Sequence, residues 1–89
     1  MIKAGGVIYN QGTGEVALVR MLDGQVCFVS AKMSRNGDVS VEDLGMPLSD
    51  CRPATAEEKF ATTLRLLHSS SNIHFHDFFT LSLYASIHR

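Results

Sequence analysis

All four histidines of the chain fall between positions 68 and 88: His68, His74, His76 and His88. The run His74-Phe75-His76-Asp77 puts two imidazoles on the same side of an extended segment. His68, at the end of a predicted helix, can approach them. Neutral imidazole is a ligand for zinc, copper or nickel, and Asp77 is placed to orient one ring through its second nitrogen. His68, His74 and His76 are therefore the candidate metal ligands. The same spacing also arises from two solvated residues on the polar side of a strand. Neither a cysteine pair nor an HExxH motif accompanies it, so no cofactor is assigned.

Nucleophilic chemistry has one candidate. Cys51 is followed by Arg52, whose charge favours a thiolate, and a nearby histidine would complete a Cys–His pair. The surrounding stretch has no regular period, and an irregular loop preorganises a nucleophile poorly. No serine stands in a G-x-S-x-G elbow. Gly12-Thr13-Gly14 reads as a hairpin turn, because no GK[ST] follows it. With no complete catalytic set, the expectation is a protein that is not an enzyme.

The remaining candidates are surface anchors. Phe78 and Tyr84 share a side of the last segment with polar residues, and exposed aromatics anchor protein partners. Tyr9 stands in a similar context. Met46 and Leu48 are apolar residues in an aperiodic stretch, and join Tyr84 and Phe78 as candidate partner-binding residues.

Composition narrows the class. The 89 residues suit one domain, residues 1–89. Hydrophobic content of 45% with 19% charged residues suits a folded core, not a disordered chain. Net charge is −1 and the eight Lys and Arg are scattered, so strong nucleic-acid binding, which needs clustered phosphate contacts, is not expected. No apolar stretch is long enough to span a membrane, and no signal-peptide h-region is present. Cys27 and Cys51 do not form CxxC. They read as free thiols in a reducing, cytoplasmic setting, with a Cys27–Cys51 disulfide as the other possibility.

The elements that must position these residues begin with Ile2–Tyr9, a strand with Gly5-Gly6 marking a bulge or a close backbone approach. Asn10–Gly14 is a turn. Val16–Leu22 and Val26–Ala31 are strands joined at Asp23-Gly24-Gln25, with Asp23-Gly24 as the favoured hairpin dipeptide. Both runs are apolar on both sides, which implies cover on both faces or an oligomer contact. Ser34–Asp38 is a turn cluster, Val39–Val41 a short edge strand, and Glu42–Pro53 a long loop. Thr55-Ala56-Glu57-Glu58 has the form of a capping box opening a helix. Phe60, Ala61, Leu64 and Leu67 form its apolar stripe, predicted to pack on the sheet. Residues 73–88 alternate as a strand with one buried face, best over 78–87. Phe75, Phe79, Leu83 and Ile87 also fit a helix. The fold class is α+β: a small antiparallel β-sheet, made of a three- to four-stranded N-terminal meander and a C-terminal strand, with one helix packed on one face.

Ala4-Gly5-Gly6-Val7-Ile8-Tyr9 followed by Glu15-Val16-Ala17-Leu18-Val19-Arg20 resembles the opening two strands of Nudix hydrolases. The resemblance covers about the first 20 residues. That family's metal-binding glutamates lie in a later box, G-x5-E-x7-R-E-U-x-E-E-x-G-U, with U a bulky apolar residue. Here Gly37 has Asp43 at the sixth place, Arg52 is followed by Pro53, and Glu57-Glu58 stand outside the pattern. No catalytic residue is carried over.

These readings favour a small non-catalytic binding protein that docks on a larger protein as an inhibitor, adaptor or regulatory subunit. Phage- or plasmid-type inhibitors of host enzymes share the profile. The contact surface is expected in the loop over residues 34–53, with an edge strand available for β-augmentation. The alternative is a metal- or small-molecule-binding domain using the C-terminal histidines. A homodimer is compatible with either.

Overall fold

Alternating apolar residues around glycine turns build an antiparallel sheet. The structure, a computed structural model, describes residues 1–68. It contains β1 (Val7–Asn10), β2 (Glu15–Asp23), β3 (Val26–Met33), β4 (Val39–Ser40), β5 (Leu44–Pro47) and β6 (Cys51–Pro53), followed by α1 (Ala56–His68). The sheet order is β4-β3-β2-β1-β6, and β5 also pairs with β3. This is the α+β class, an antiparallel sheet with one helix packed on it. The C-terminal strand expected over 78–87 lies outside the described residues.

The central hairpin turns one residue later than the sequence suggests. Asp23 pairs with Val26, so Gly24-Gln25 forms the two-residue turn, with Gly24 at φ +60°. This register aligns Leu22 with Cys27 and Met21 with Phe28. Register follows burial, because a one-residue slip would exchange the faces of a strand. Cys27, at 0% exposure, could not tolerate that slip. Gly5 and Gly6 precede β1. Gly5 N–H donates to Val19 O and Val19 N–H donates to Gly6 O, each at 2.9 Å, so a second backbone does come close there.

The irregularity lies instead between β2 and β3. Leu18 pairs with Ala31, Val19 with Val29, and Met21 with Phe28. Ser30 is therefore extra on β3 and Arg20 extra on β2, after which the original register returns. The bulge at Ser30 has a consequence for packing. Cys27, Val29, Ala31 and Met33 are all buried at every second position, yet they feed two different cores. Ala31 and Met33 join Val7, Val16, Leu18 and Ala54 on one face. Cys27 and Val29 join Ile8, Ala17, Val19 and Met46 on the other. An extra residue re-aims every side chain beyond it.

The stretch 42–53, expected to be a loop, is largely strand. β4 and β5 run successively along the free edge of β3, pairing Lys32 with Ser40 and Val29 with Leu44. A short 3-10 turn, Leu48–Asp50, then leads to β6, which pairs with β1 at the opposite edge. In a flat sheet those edges would lie about 19 Å apart, while the chain from Pro47 to Cys51 reaches at most about 14 Å. The sheet must therefore curl. Leu48 N–H donates to Gln25 O and Gln11 N–H to Asp50 O, each at 2.8 Å, and tie this crossing down. Curling wraps the second core, where Ala17, Cys27 and Val29 are 0% exposed. Burying an aliphatic side chain fully contributes about 1.5–3 kcal/mol. The exposed Arg20–Asp43 ion pair, at 3.0 Å, belongs to a class worth about 0–1 kcal/mol.

The helix opens as its sequence requires. Thr55 Oγ1 accepts from Glu58 N–H at 3.1 Å, and Glu58 Oε1 accepts from Thr55 N–H at 2.8 Å. Its orientation does not follow the apolar stripe. Phe60 is 59% and Leu64 41% exposed, whereas Thr62 is 4% exposed. Among the described residues the first core is built by the sheet and Ala54. Of the helix side chains up to Arg65, Thr62 is buried while Phe60 and Leu64 stay exposed.

Candidate functional site

A groove of about 200 Å³ runs between α1 and the sheet. Val16 and Met33, both buried in the first core, supply its floor. Ala61, Thr62, Glu58 and Arg65 supply the helix wall, and Tyr9, Gly14, Ser34 and Arg35 the remainder. A smaller cleft of about 110 Å³ lies between the N-terminal residues and the Pro53–Lys59 region.

Arg52 contacts two residues that line the larger groove, Glu58 and Tyr9. Its Nη1 and Nη2 donate to Glu58 Oε1 and Oε2 at 2.8 and 2.6 Å, a bidentate geometry that matches the two planar groups. Nη1 also donates to Pro53 O at 3.1 Å, and the guanidinium lies 4.6 Å from the Tyr9 ring centroid. Arg52 thus joins β6, β1 and α1. Its hydrogen bonds hold the Glu58 carboxyl below the usual carboxylate range, outweighing the opposing effect of burial. Glu15 is drawn up by burial, but bonds from Lys32 and Thr13 leave it lowered. Lys32 Nζ sits 2.8 Å from Glu15 Oε2 across the β2–β3 pair.

Arg35 and Arg65 have different surroundings. Arg65 Nη1 donates to the Arg35 carbonyl at 2.6 Å, which joins the helix to the turn after β3. The Arg35 guanidinium lies against Gly14, where a Cβ would come within 2.6 Å of Nε. Gly14 has φ +79°, and this positive φ is what favours glycine there, since the tip of Arg35 can move aside. Among the described residues, the ion pairs are Arg20–Asp43, Lys32–Glu15 and Arg52–Glu58. Neither Arg35 nor Arg65 pairs with a carboxylate in that set.

Several expected site residues have other roles. Met46 is 3% exposed and belongs to the second core. Its sulfur accepts a 3.5 Å contact from Asn10 Nδ2. Leu48 is half-buried against the same core. Curling of the sheet turns this segment inward, so Met46 is packed in the core and Leu48 lies half-buried beside it. Tyr9 packs against the first core under Arg52. Cys27 and Cys51 are both free thiols. Cys51 donates to Pro47 O at 3.4 Å. Its thiol is pushed up to about 11 by burial, with further contributions from Cys27 and Asp50. Arg52 does not activate it, being committed to Glu58. His68 closes α1. His74, His76, Phe78 and Tyr84 lie outside the described residues. Among the described residues no three His, Cys, Asp or Glu side chains group as a metal site.

The sequence reading missed the groove. Gly14 was legible only as a turn residue. Arg35 and Arg65 are 30 positions apart, and no local pattern joins them. Compared with protein-family models, with curated proteins and with solved structures, the chain has no match. The positions nearest the Nudix box serve the fold: Gly37 takes φ +92° in its turn, Asp43 pairs with Arg20, and Arg52 pairs with Glu58. No described helix is long and apolar enough to cross a membrane.

Proposed function

We propose that the chain is a small non-catalytic binding domain that docks on a larger protein as an inhibitor, adaptor or regulatory subunit. The outer face of α1 carries this reading. Phe60 and Leu64 are one helical turn apart and 59% and 41% exposed, the spacing by which an amphipathic helix enters an apolar groove. Glu57, exposed one turn before Phe60, would complement a basic rim on that groove. The partner is thus a protein with an apolar, basic-rimmed cleft. The raised Cys51 thiol and the structural use of Arg52 and Glu58 support a binding role over catalysis. Two unpaired thiols support a reducing, cytoplasmic setting.

The test compares the full chain with Phe60→Asp and Leu64→Asp in affinity capture and thermal melting. Loss of a captured partner with an unchanged melting temperature is the expected result. A melting temperature lowered by several degrees would show instead that other residues of the same chain cover this face. Capture of the chain's own copies alone, abolished by the same substitutions, would replace the larger partner with a homodimer.

A further inference from the structure

We infer that Cys27 and Cys51 form a redox-sensitive lock: oxidation by a peroxide joins them as a disulfide across the second core and pins β6 to β3. The inference is independent of the docking role of α1. Its geometry rests on the register of β5. Cys27 stands opposite Met46, and Val26 opposite Pro47. The Cys51 thiol donates to Pro47 O at 3.4 Å, so its sulfur rests on the residue next to the one that faces Cys27. A second tie comes from β1. Cys51 pairs with Asn10, and Asn10 Nδ2 reaches the Met46 sulfur at 3.5 Å. Both ties bring Cys51 to the part of β5 that lies against Cys27. The two cysteines share one core, Cys27 as a buried member and Cys51 packed against it, and each is a free thiol.

Access differs between the two. Cys27 is 0% exposed and Cys51 is half-buried, so Cys51 is the sulfur a small peroxide meets first, and Cys27 resolves it. In the first step the Cys51 sulfur attacks one peroxide oxygen and the O–O bond breaks. The departing oxygen leaves as water with the thiol proton, and Cys51 becomes a sulfenic acid. In the second step the Cys27 sulfur attacks Cys51 and the S–O bond breaks. A second water carries off the hydroxyl and the Cys27 proton. Two electrons pass from the sulfurs to the peroxide. Burial, then the neighbouring Cys27 and Asp50, push the Cys51 thiol up to about 11, and burial raises Cys27 as well. The thiolate is the reactive form, so the pair stays reduced under brief exposure and responds to sustained exposure. β6 pairs with β1 over only three residues. The cross-link adds a covalent tie to β3 at that edge and holds the crossing that makes the sheet curl. It closes a loop of about 25 residues, which removes freedom from the unfolded chain.

The experiment exposes the full chain to hydrogen peroxide under native conditions and maps both cysteines by mass spectrometry. The expected product is a monomer in which both thiols are lost together and the Cys27 and Cys51 peptides are joined. Its melting temperature should lie several degrees above that of the reduced chain and return to the reduced value with dithiothreitol. Cys51→Ala removes the sulfur that meets the oxidant. In that folded variant Cys27 should stay reduced, and peroxide should leave the melting temperature unchanged. Cys51→Ser carries the same test if the alanine variant does not fold. Four results would each overturn the inference: Cys51 oxidised to a sulfinic acid with Cys27 still free, disulfides formed only between chains, a joined chain no more stable than the reduced one, or two intact thiols after prolonged exposure.

Discussion

Asn10 shows how much one polar side chain can hold in a domain of this size. It is 3% exposed, and its Oδ1 accepts from Gly12 and Thr13 N–H at 2.9 and 3.2 Å. Its Nδ2 reaches Met46 on the far side of the second core. Asn10→Ala should cost about 1–3 kcal/mol by stranding these donors, measured by urea unfolding. Cys51 makes a kinetic prediction. A thiol raised to about 11 instead of the ordinary value near 8.5 is ionised roughly two orders of magnitude less often near neutral pH. Iodoacetamide should therefore label Cys51 far more slowly in the native chain than in urea. Equal rates would mean that the thiol is neither buried nor held by Pro47.

At the scale of the element, α1 combines a local start with a non-local orientation. The Thr55–Glu58 box acts within one turn and sets where the helix begins. Arg52, from β6, then grips the same Glu58 and draws it toward the sheet. Because Glu58 has a lowered carboxyl pKa in the folded state, its contribution is present above the unfolded value near about 4.5 and is lost as pH falls through the lower folded value. Urea midpoints taken across the acid range should fall in the wild-type chain below about pH 4.5. Glu58→Gln, which cannot titrate, should be less stable at neutral pH and show a flatter acid limb. An identical acid limb in the variant would assign that loss to other carboxylates. β3 is non-local in another way. Its period of two is regular along the strand, and only the pairing with β2 shows that Ser30 switches the face.

For the whole molecule, the decisive fact is that two cores share one sheet. Among the described residues, one face is enclosed by curling and the other is partly covered by α1. The enclosed face accounts for the buried Met46 and for the strand character of a segment rich in turn formers. The partly covered face leaves both a groove and an outward helix surface. Phe60→Asp and Leu64→Asp should each change stability by less than about 0.5 kcal/mol, as exposed substitutions do, while abolishing partner capture. A larger destabilisation would transfer that face from a docking role to the chain's own packing.

By itself the sequence determined what acts over a few residues. Alternation and turn glycines marked the first three strands, Ser34–Asp38 marked a turn, and the capping box placed the start of the helix. These signals are legible because backbone sterics, turn chemistry and capping work between near neighbours. Only the tertiary structure decided which side of α1 meets the sheet, where β5 and β6 pair, and which arginines share a groove. Those outcomes depend on partners as distant as Asn10 and Met46, 36 positions apart. They also depend on which apolar residues reach the core: among the described residues those of the sheet and Ala54 build the first core, while Phe60 and Leu64 stay exposed. An amphipathic stripe records that a helix has an apolar side, but whether that side is needed is settled by the packing already present beneath it.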